Sequence, residues 1–292
     1  MTNISFLGLG VMGGGMAMRL VDVAPDSTIT VWNRRPDKTA PFAAKGARVA
    51  STPADAARSA AIVISMVADD AASRSVWLGP DGALAQMAPG TIAIESSTLS
   101  PRWITELGAA AAERGVEFID APVTGSKIQA ASGQLLFLVG GSAGGFANAK
   151  PVLLVMGRDA IHLGPLASGA RLKLINNFLC GVQAASLAEA ITVIERSGLD
   201  RDAALQVLAA GAPGSPLVGA VSSRMAQSNY TVNFALSLMR KDLGYAIAEA
   251  AERGVTLATG AAARSHFDRG VEAGLADVDF SAIVEPIRKA AK

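Results

Sequence analysis

The chain has 292 residues, of which 50% are hydrophobic, and a formal net charge of +1. This length suits about two domains with substantial cores, and the composition excludes a disordered chain. The charge is nearly balanced and forms no dense basic stripe, which argues against nucleic acid as the main partner.

The first predicted element is a strand that leads into a glycine-rich turn and a helix. Residues 4–7 have the strand-forming sequence Ile-Ser-Phe-Leu. The run Gly8-Leu9-Gly10-Val11-Met12-Gly13 follows, and a helix-compatible stretch covers 16–20. In this context Gly-x-Gly-x-x-Gly indicates a dinucleotide-binding turn. The three glycines permit the tight turn, the approach of a pyrophosphate and close helix packing, in that order. The phosphates would lie at the helix N-terminus. The alternative is an ordinary glycine turn between a strand and a helix.

The second predicted strand, 29–32, ends at Asn33-Arg34-Arg35. An acidic residue about here would hold the ribose 2′-hydroxyl of NAD, whereas arginine suits a 2′-phosphate. We therefore expect NADP(H), bound in part by Asn33, Arg34 and Arg35. The alternative is a pair of solvated surface arginines.

Short β runs alternate with helical stretches through the first half of the chain, which predicts βαβ units and a parallel sheet. Helices are expected to begin at Pro36, Thr52-Pro53 and Ser100-Pro101. Further strands are predicted at residues 48–49, 60–67, 91–95, 116–121, 134–139 and 160–163, the last two at the edge of the sheet.

The pattern changes after about residue 164. Residues 168–196 contain no proline and no strand-like alternation, which predicts one helix roughly 40 Å long. Further helices are predicted at 202–210, 218–227, 234–253, 260–273 and 280–291. We therefore expect an α/β fold, with a Rossmann-type parallel-sheet domain at 1–164. An all-α substrate and dimerisation domain follows at 165–292, joined by the long helix.

Ligands of such sheets lie beyond the carboxyl ends of the strands, and predicted loops arrive there. Met66 and Val67 end one strand and are expected to contact the cofactor through main chain. In the next loop, Ser97 and Thr98 are candidates for hydrogen bonds near the nicotinamide. The alternative is helix capping, which Ser100 already explains.

A third loop has the sequence Asp-Ala-Pro-Val-Thr-Gly-Ser-Lys at 120–127. The hydroxyls of Thr124 and Ser126 flank Gly125, and such a turn can form a small anion cradle suited to a carboxylate. The same composition also describes an ordinary turn.

The strongest catalytic signal lies at the start of the long predicted helix, where Gly169, Lys173 and Asn177 are spaced at i, i+4 and i+8 on one face. Apolar neighbours are expected to desolvate that face partly, which makes a lysine a better proton donor. They are Leu172, Leu174, Ile175, Phe178 and Leu179. Lys173 would neutralise the charge that grows on a carbonyl oxygen during hydride transfer, while Asn177 orients the amine. The alternative is a solvated lysine.

A second candidate cluster contains Phe234 and Lys241, which would share a face of a predicted helix. Lys241 is expected to meet the substrate carboxylate or the nicotinamide end of the cofactor. Asp242 would pair with Lys241 or with Lys173. As a bare charge cluster these residues would be surface by default.

The sequence predicts a cytoplasmic protein without a membrane or metal partner. Its N-terminus lacks a signal-peptide pattern, and no run of about 18 uninterrupted apolar residues occurs. Cys180 lies in an apolar stretch and is interpreted as a core residue. His162 and His266 have no metal-ligand neighbour at useful spacing.

In combination these motifs resemble the β-hydroxyacid dehydrogenase family. The resemblance covers nearly the whole chain, from Gly-Leu-Gly-x-Met-Gly to the closing segment at 277–282. Between them lie the Ser-Ser-Thr loop, Asp-Ala-Pro-Val-x-Gly, Gly-x-x-x-Lys-x-x-x-Asn and Lys-Asp-Leu. Within the family the chain is most similar to glyoxylate and succinic semialdehyde reductases.

The resemblance implies that Lys173 is the catalytic proton donor or acceptor, with Asn177 beside it. It also implies that Thr124 and Gly125 hold the substrate carboxylate and that Lys241 lies over the cofactor.

These observations predict an NADPH-dependent reductase that converts small aldehyde or keto acids, such as glyoxylate or succinic semialdehyde, to hydroxy acids. A 3-hydroxyisobutyrate-type dehydrogenase working in the oxidative direction would share every motif. A non-catalytic binding module with a dehydrogenase fold is an alternative from another class. The long helix has more apolar length than one subunit covers, which predicts a homodimer or homotetramer.

Overall fold

The structure is a computed structural model that describes residues 2–24 and 26–291. The chain divides into two compact units, Met1–Lys173 and Leu174–Lys292, called here the N-terminal and C-terminal units.

The N-terminal unit alternates strands and helices as the sequence predicts. Its elements are β1 (Thr2–Leu7), α1 (Val11–Val23), β2 (Ser27–Trp32), a 3₁₀ turn (Pro36–Thr39), α2 (Ala40–Ala43), β3 (Arg48–Val49), α3 (Pro53–Ala57), β4 (Ile62–Ser65), α4 (Asp70–Leu78), a 3₁₀ turn (Ala83–Gln86), β5 (Ile92–Glu95), α5 (Pro101–Ala112), β6 (Glu117–Asp120), β7 (Val123–Thr124), α6 (Lys127–Ser132), β8 (Leu135–Gly140), α7 (Ala143–Met156) and β9 (Gly157–Gly164).

The first six strands form a parallel sheet in the order β3-β2-β1-β4-β5-β6. Strand β8 extends it, antiparallel to β6 and β7 and parallel to β9. This is the doubly wound order in which strand succession reverses between β1 and β4, so ligands bind at the carboxyl ends of these strands. The prediction of a Rossmann-type α/β fold is confirmed.

Both faces of the sheet are covered by helices, as a parallel sheet requires. The adjacent residues Phe6 and Leu7 of β1 belong to different core clusters. Phe6 packs with Met16 of α1, whereas Leu7 belongs to the cluster that contains Trp77 of α4. Burial on both faces therefore explains why the neighbouring residues Phe6 and Leu7, which point to opposite faces, are both apolar.

Several predicted helix starts are confirmed by their caps. Thr52 Oγ1 accepts a hydrogen bond from the backbone N–H of Asp55 at 2.9 Å, and Ser100 Oγ accepts one from Trp103 at 3.2 Å. Pro36 opens a 3₁₀ turn followed by the short α2. Helices α4, α6 and α7 and strand β7 are not among the elements predicted from the sequence. In α7, Pro151 suggests a break, but burial of Leu153 and Met156 on the sheet prevails.

Helix α8 (Ser168–Arg196) begins in the N-terminal unit and continues into the C-terminal one. The predicted domain junction is at 164/165, whereas the compact units divide inside α8, between Lys173 and Leu174. The difference arises because the entry and first turn of α8 belong to the sheet domain, where Ala167 and Ala170 are core residues. By length and composition α8 is the one helix in the described part of the chain that meets the criteria for a membrane span. Half of its most apolar window is buried within the protein, and core helices meet the same criteria.

The C-terminal unit is helical, as predicted. After α8 it contains α9 (Arg201–Ala210), α10 (Pro216–Ala226), α11 (Leu236–Glu252), α12 (Ala258–Glu272), a 3₁₀ turn (Phe280–Ile283) and α13 (Val284–Ala290). Their core includes Ile191, Met225, Met239 and Phe267. The β pairing among its described residues is one isolated bridge between Ala235 and Asp279.

Candidate active site

The glycines of the first turn have separate roles. Gly8 has φ +101°, and a Cβ there would lie 2.3 Å from the carbonyl oxygen of Met66. A Cβ at Gly13 would lie 2.0 Å from the carbonyl oxygen of Gly8. At Gly10, by contrast, a Cβ would meet nothing within 4 Å. The fold itself requires Gly8 and Gly13, whereas the space at Gly10 can receive a ligand.

The N-terminus of α1 suits an anion. Gly10 is its N-cap, no described side chain caps its first turn, and that turn has no acidic residue. Helices α4, α5 and α7 are instead capped by Asp69, Ser100 and Ser142. Free backbone N–H groups and the helix dipole favour phosphate at such an end. The turn therefore fits the pyrophosphate of a dinucleotide, flanked by the exposed Val11 and the half-buried Met12.

Asn33 is engaged within the protein. Its Oδ1 accepts a hydrogen bond from the backbone N–H of Leu9 at 2.8 Å, and its Nδ2 donates one to the carbonyl oxygen of Arg35 at 2.9 Å. The side chains of Arg34 and Arg35 are exposed and form no ion pair with a described residue. Two unpaired cations thus lie at the carboxyl end of β2, where sequence analysis placed the cofactor 2′-phosphate.

The ends of β4 and β5 are joined by a hydroxyl. Ser97 Oγ accepts a hydrogen bond from the backbone N–H of Val67 at 2.7 Å. This N–H, a predicted cofactor contact, is therefore used inside the protein, and the carbonyl of Val67 remains for a ligand. Ser97 is buried, whereas Thr98 is half-buried. Of these two residues, Thr98 is the more exposed.

A buried carboxylate at the end of β5 holds this loop, and sequence analysis gave it no role. Glu95 is fully buried, and its Oε2 accepts hydrogen bonds from Ser73 Oγ at 2.6 Å and Trp77 Nε1 at 2.8 Å. Its Oε1 accepts one from the backbone N–H of Ser97 at 3.0 Å. A single carboxylate that closes the apolar run 92–94 was the available signal.

Asp120, the last residue of β6, repeats that pattern and was also missed. Its buried carboxylate accepts hydrogen bonds from the backbone N–H groups of Ala167 and Ala170. Burial raises the pKa of Asp120 to about 6, although the bonds from Ala170 and Ala167 and the charge of Arg171 act to lower it.

The predicted carboxylate cradle is formed in part. Thr124 is half-buried on β7, and its hydroxyl makes no hydrogen bond to a described residue. Gly125 has φ +132°. Ser126 is the N-cap of α6, where its hydroxyl is engaged with Gln129 and with the backbone N–H of Ile128. Thr124 and Gly125 therefore remain available, while capping occupies Ser126.

Lys173 is half-buried on α8, but its predicted apolar surroundings are correct only in part. Leu174 is buried and Phe178 half-buried. The other three, Leu172, Ile175 and Leu179, are 37%, 54% and 53% exposed. They form a separate stripe at i, i+3 and i+7 that faces away from the core. The prediction that they desolvate the lysine is wrong.

In the C-terminal unit, three predicted residues form one cluster. Asn177 Nδ2 donates a hydrogen bond to Asp242 Oδ2 at 2.6 Å. Lys241 Nζ forms an ion pair with Asp242 Oδ1 at 3.0 Å and lies 4.9 Å from the ring centroid of Tyr245. Asp242 is buried. The predicted pairing of Asp242 with Lys241 is therefore present.

Phe234 does not share a helix face with Lys241, because α11 begins at Leu236. Its backbone N–H donates to Asp279 Oδ2 at 3.2 Å, and its ring meets that of Phe280 edge-on at 5.9 Å. The prediction is wrong because Asp279 also accepts from the N–H of Asn233 and holds this segment outside the helix.

Comparison with known proteins agrees with this architecture. Residues 3–164 match the NAD binding domain of 6-phosphogluconate dehydrogenase. Residues 167–287 match the domain described as NAD-binding of NADP-dependent 3-hydroxyisobutyrate dehydrogenase. The fold and the glycine turn therefore define a nicotinamide-dependent oxidoreductase that acts on CH–OH groups.

Relatives that span the chain specify the family. Glyoxylate/succinic semialdehyde reductase 1 of Arabidopsis thaliana is 33% identical over 98% of both chains. The 3-hydroxyisobutyrate dehydrogenase of Pseudomonas aeruginosa is 36% identical over 97% of both. The structure of Mycobacterium tuberculosis 3-hydroxyisobutyrate dehydrogenase with L-serine has a TM-score of 0.87 at 32% identity and covers 99% of both chains. The chain belongs to the β-hydroxyacid dehydrogenase family.

Proposed function

We propose that this protein is an NADPH-dependent reductase of small aldehyde or keto acids, with glyoxylate and succinic semialdehyde as its substrate class and Lys173 as proton donor. The observation that carries the proposal is the position of Lys173. It lies within the N-terminal unit, one turn beyond the point where Asp120 fixes α8 to the carboxyl end of the sheet. That edge is where substrates of doubly wound folds react.

The preference for NADPH rests on the loop after β2. Arg34 and Arg35 are exposed there without acidic partners among the described residues. Arginine binds phosphate through charge-assisted hydrogen bonds, whereas a carboxylate in this loop would repel a 2′-phosphate.

In the proposed reaction, each of the groups at the site has a separate role. When bound, the reduced nicotinamide supplies the hydride that converts the carbonyl carbon to CH–OH. Lys173 Nζ neutralises the negative charge that develops on the carbonyl oxygen, donates a proton to it, and is reprotonated from solvent. Thr124 and the backbone at Gly125 hold the substrate carboxylate. Asp242 fixes Asn177, one helical turn beyond Lys173 in sequence.

A substrate panel with both nicotinamides tests the proposal. Purified protein is assayed with glyoxylate and succinic semialdehyde against NADPH and NADH, and with 3-hydroxyisobutyrate against the oxidised cofactors. We expect the highest kcat/KM with NADPH and an aldehyde acid. Preferred oxidation of 3-hydroxyisobutyrate would favour the second candidate, which the Pseudomonas relative supports. Inactivity with every substrate would favour a non-catalytic module.

We also propose a homodimer or homotetramer. Helix α8 exposes the apolar stripe Leu172, Ile175 and Leu179, and further along it exposes Val193, which is 63% exposed. Exposed apolar surface of this kind is commonly covered by a partner subunit. Light scattering should give the mass of two or four chains, and the mass of one chain would contradict the proposal. With a net charge of +1, we expect neither nucleic acid nor a membrane as partner.

A further inference from the structure

Asp120 connects the loop that would bind substrate to the helix that carries Lys173. It ends β6, and residues 121–126 of the proposed carboxylate cradle follow it directly. Its Oδ1 accepts a hydrogen bond from the backbone N–H of Ala167 at 2.8 Å. Its Oδ2 accepts one from the N–H of Ala170 at 2.7 Å. One carboxylate thus contacts both the entry and the first turn of α8.

The entry to α8 has a backbone conformation that needs such support. Ala167 has φ +72°, a left-handed conformation that is unfavourable for a residue with a Cβ. It is fully buried, so no water can satisfy its N–H. The bond to Asp120 satisfies this donor and fixes the direction in which α8 leaves the sheet.

Two glycines allow the helix to approach the carboxylate this closely. A Cβ at Gly140, which pairs with Asp120 across β6 and β8, would lie 2.4 Å from Asp120 Oδ1. A Cβ at Gly169 would lie 2.1 Å from the carbonyl oxygen of Leu138 and 2.9 Å from Asp120 Oδ2. The glycine in Gly-x-x-x-Lys-x-x-x-Asn is therefore explained by close contact between helix and sheet.

We propose that Asp120 is a positioning residue that sets the place of Lys173 relative to the substrate loop by anchoring the first turn of α8. The inference rests on the proposed role of Lys173 as proton donor. Lys173 lies one turn after Ala170, so a shift at the anchor moves the amine by a similar distance. Displacement of a catalytic group by about 1 Å can lower the rate about 100-fold.

Packing alone does not account for a charge at this position. Because burial raises the pKa of Asp120 to about 6, the ionised form is a cost to folding at neutral pH. A neutral side chain of the same size would avoid this cost. The carboxylate has what a neutral group lacks, which is two acceptor oxygens for two N–H donors at the positive end of a helix.

A double-mutant cycle tests the inference. Asp120→Asn keeps the shape but replaces one acceptor with a donor, and it is measured in the wild-type and Lys173→Ala backgrounds. We expect Asp120→Asn to lower kcat about 10- to 100-fold, with the NADPH Kd within about twofold. In the Lys173→Ala background it should lower kcat no further, because the group it positions is gone.

Two further variants separate positioning from general damage. Ser142→Ala removes a comparable helix cap from α7, where Ser142 Oγ accepts from the N–H of Gly145 at 2.8 Å, and should leave kcat unchanged. Gly140→Ala pushes on the Asp120 carboxylate and on the backbone N of Ser168, which its Cβ would approach to 2.4 and 2.7 Å, and so disturbs the anchor without removing the carboxylate. It should reproduce the loss of kcat, again only when Lys173 is present. It also provides the test if Asp120→Asn fails to fold.

The outcomes distinguish the inference from the proposed function. An equal fold-loss from Asp120→Asn in both backgrounds, or a lower melting temperature with unchanged kcat, would overturn the positioning role alone. A Lys173→Ala enzyme with wild-type kcat would overturn the proposed function and the positioning role with it.

Discussion

The side chain of Asn33 connects the two parts of the candidate cofactor site, since its Oδ1 accepts a hydrogen bond from the backbone N–H of Leu9 at 2.8 Å. Its amide nitrogen donates to the carbonyl oxygen of Arg35 at 2.9 Å. The glycine turn and the arginine loop are thereby held in one arrangement. Asn33 thus holds the loop in place, while the side chains of Arg34 and Arg35 stay exposed, where we expect them to contact the cofactor.

Arg34→Ala should therefore alter cofactor selectivity. A hydrogen bond to a charged group contributes about 1.5–3 kcal/mol, so we expect the KM for NADPH to rise about 10- to 100-fold. The KM for NADH should change less than about twofold. Arg158→Ala, at an exposed arginine on β9, is the matched control and should change neither constant. An equal effect of Arg34→Ala on both cofactors would place recognition of the 2′-phosphate elsewhere.

The two glycines at the start of the turn should respond differently to alanine. Gly10 has φ −70° and free space at the Cβ position, so Gly10→Ala should leave the melting temperature unchanged while lowering NADPH affinity at least about tenfold. Gly8→Ala should destabilise the protein, because its Cβ would collide with Met66 in a left-handed conformation. Thermal unfolding and fluorescence titration with NADPH measure both effects. A Gly10→Ala protein with wild-type affinity would show that the pyrophosphate does not bind at this turn.

Asp120 should make stability decrease as the pH rises through its folded-state pKa. That pKa is about 6, raised chiefly by burial, against an ordinary value of 3.8. Between these values the folded protein binds a proton that the unfolded chain does not. The unfolding free energy therefore falls with rising pH, by about 3 kcal/mol in all.

Asp120→Asn removes this contribution, so the stability of the variant relative to wild type should improve from pH 4 to pH 7. Denaturant unfolding at several pH values measures the difference in unfolding free energy between variant and wild type. The contributions of the other titrating groups cancel in this difference. The charged group that acts on the pKa of Asp120 is Arg171, and the neighbouring carboxylate in the β5–β6 register is Glu95. Parallel stability curves for variant and wild type would show that Asp120 has an ordinary pKa.

Much of the fold could be predicted from local sequence patterns. Strand-forming runs, the caps at Thr52 and Ser100, and the uninterrupted apolar composition of 168–196 act over a few turns of chain, so they can be recognised without tertiary information. Helix α7 could not be predicted because its glycines and Pro151 have low helix propensity. Burial of its apolar residues against the sheet stabilises the helix despite them.

The candidate site could be predicted at positions where only glycine fits the backbone, as at Gly8 and Gly13. It was not predictable where the partner is distant in sequence. Asp120 bonds to residues about 50 positions later, and Phe234 is held by Asp279 across a similar separation. Likewise, periodicity showed that α8 is apolar but not which stripe is buried, so Ile175 and Leu179 were misassigned.

The most direct test of the central claim is single-turnover hydride transfer in Lys173→Ala, followed as loss of NADPH absorbance after mixing the enzyme–NADPH complex with an aldehyde acid. With Lys173 as proton donor, the rate constant should fall at least about 100-fold while the Kd for NADPH stays within about twofold. A rate constant equal to that of the wild type, or a loss confined to NADPH affinity, would contradict the account.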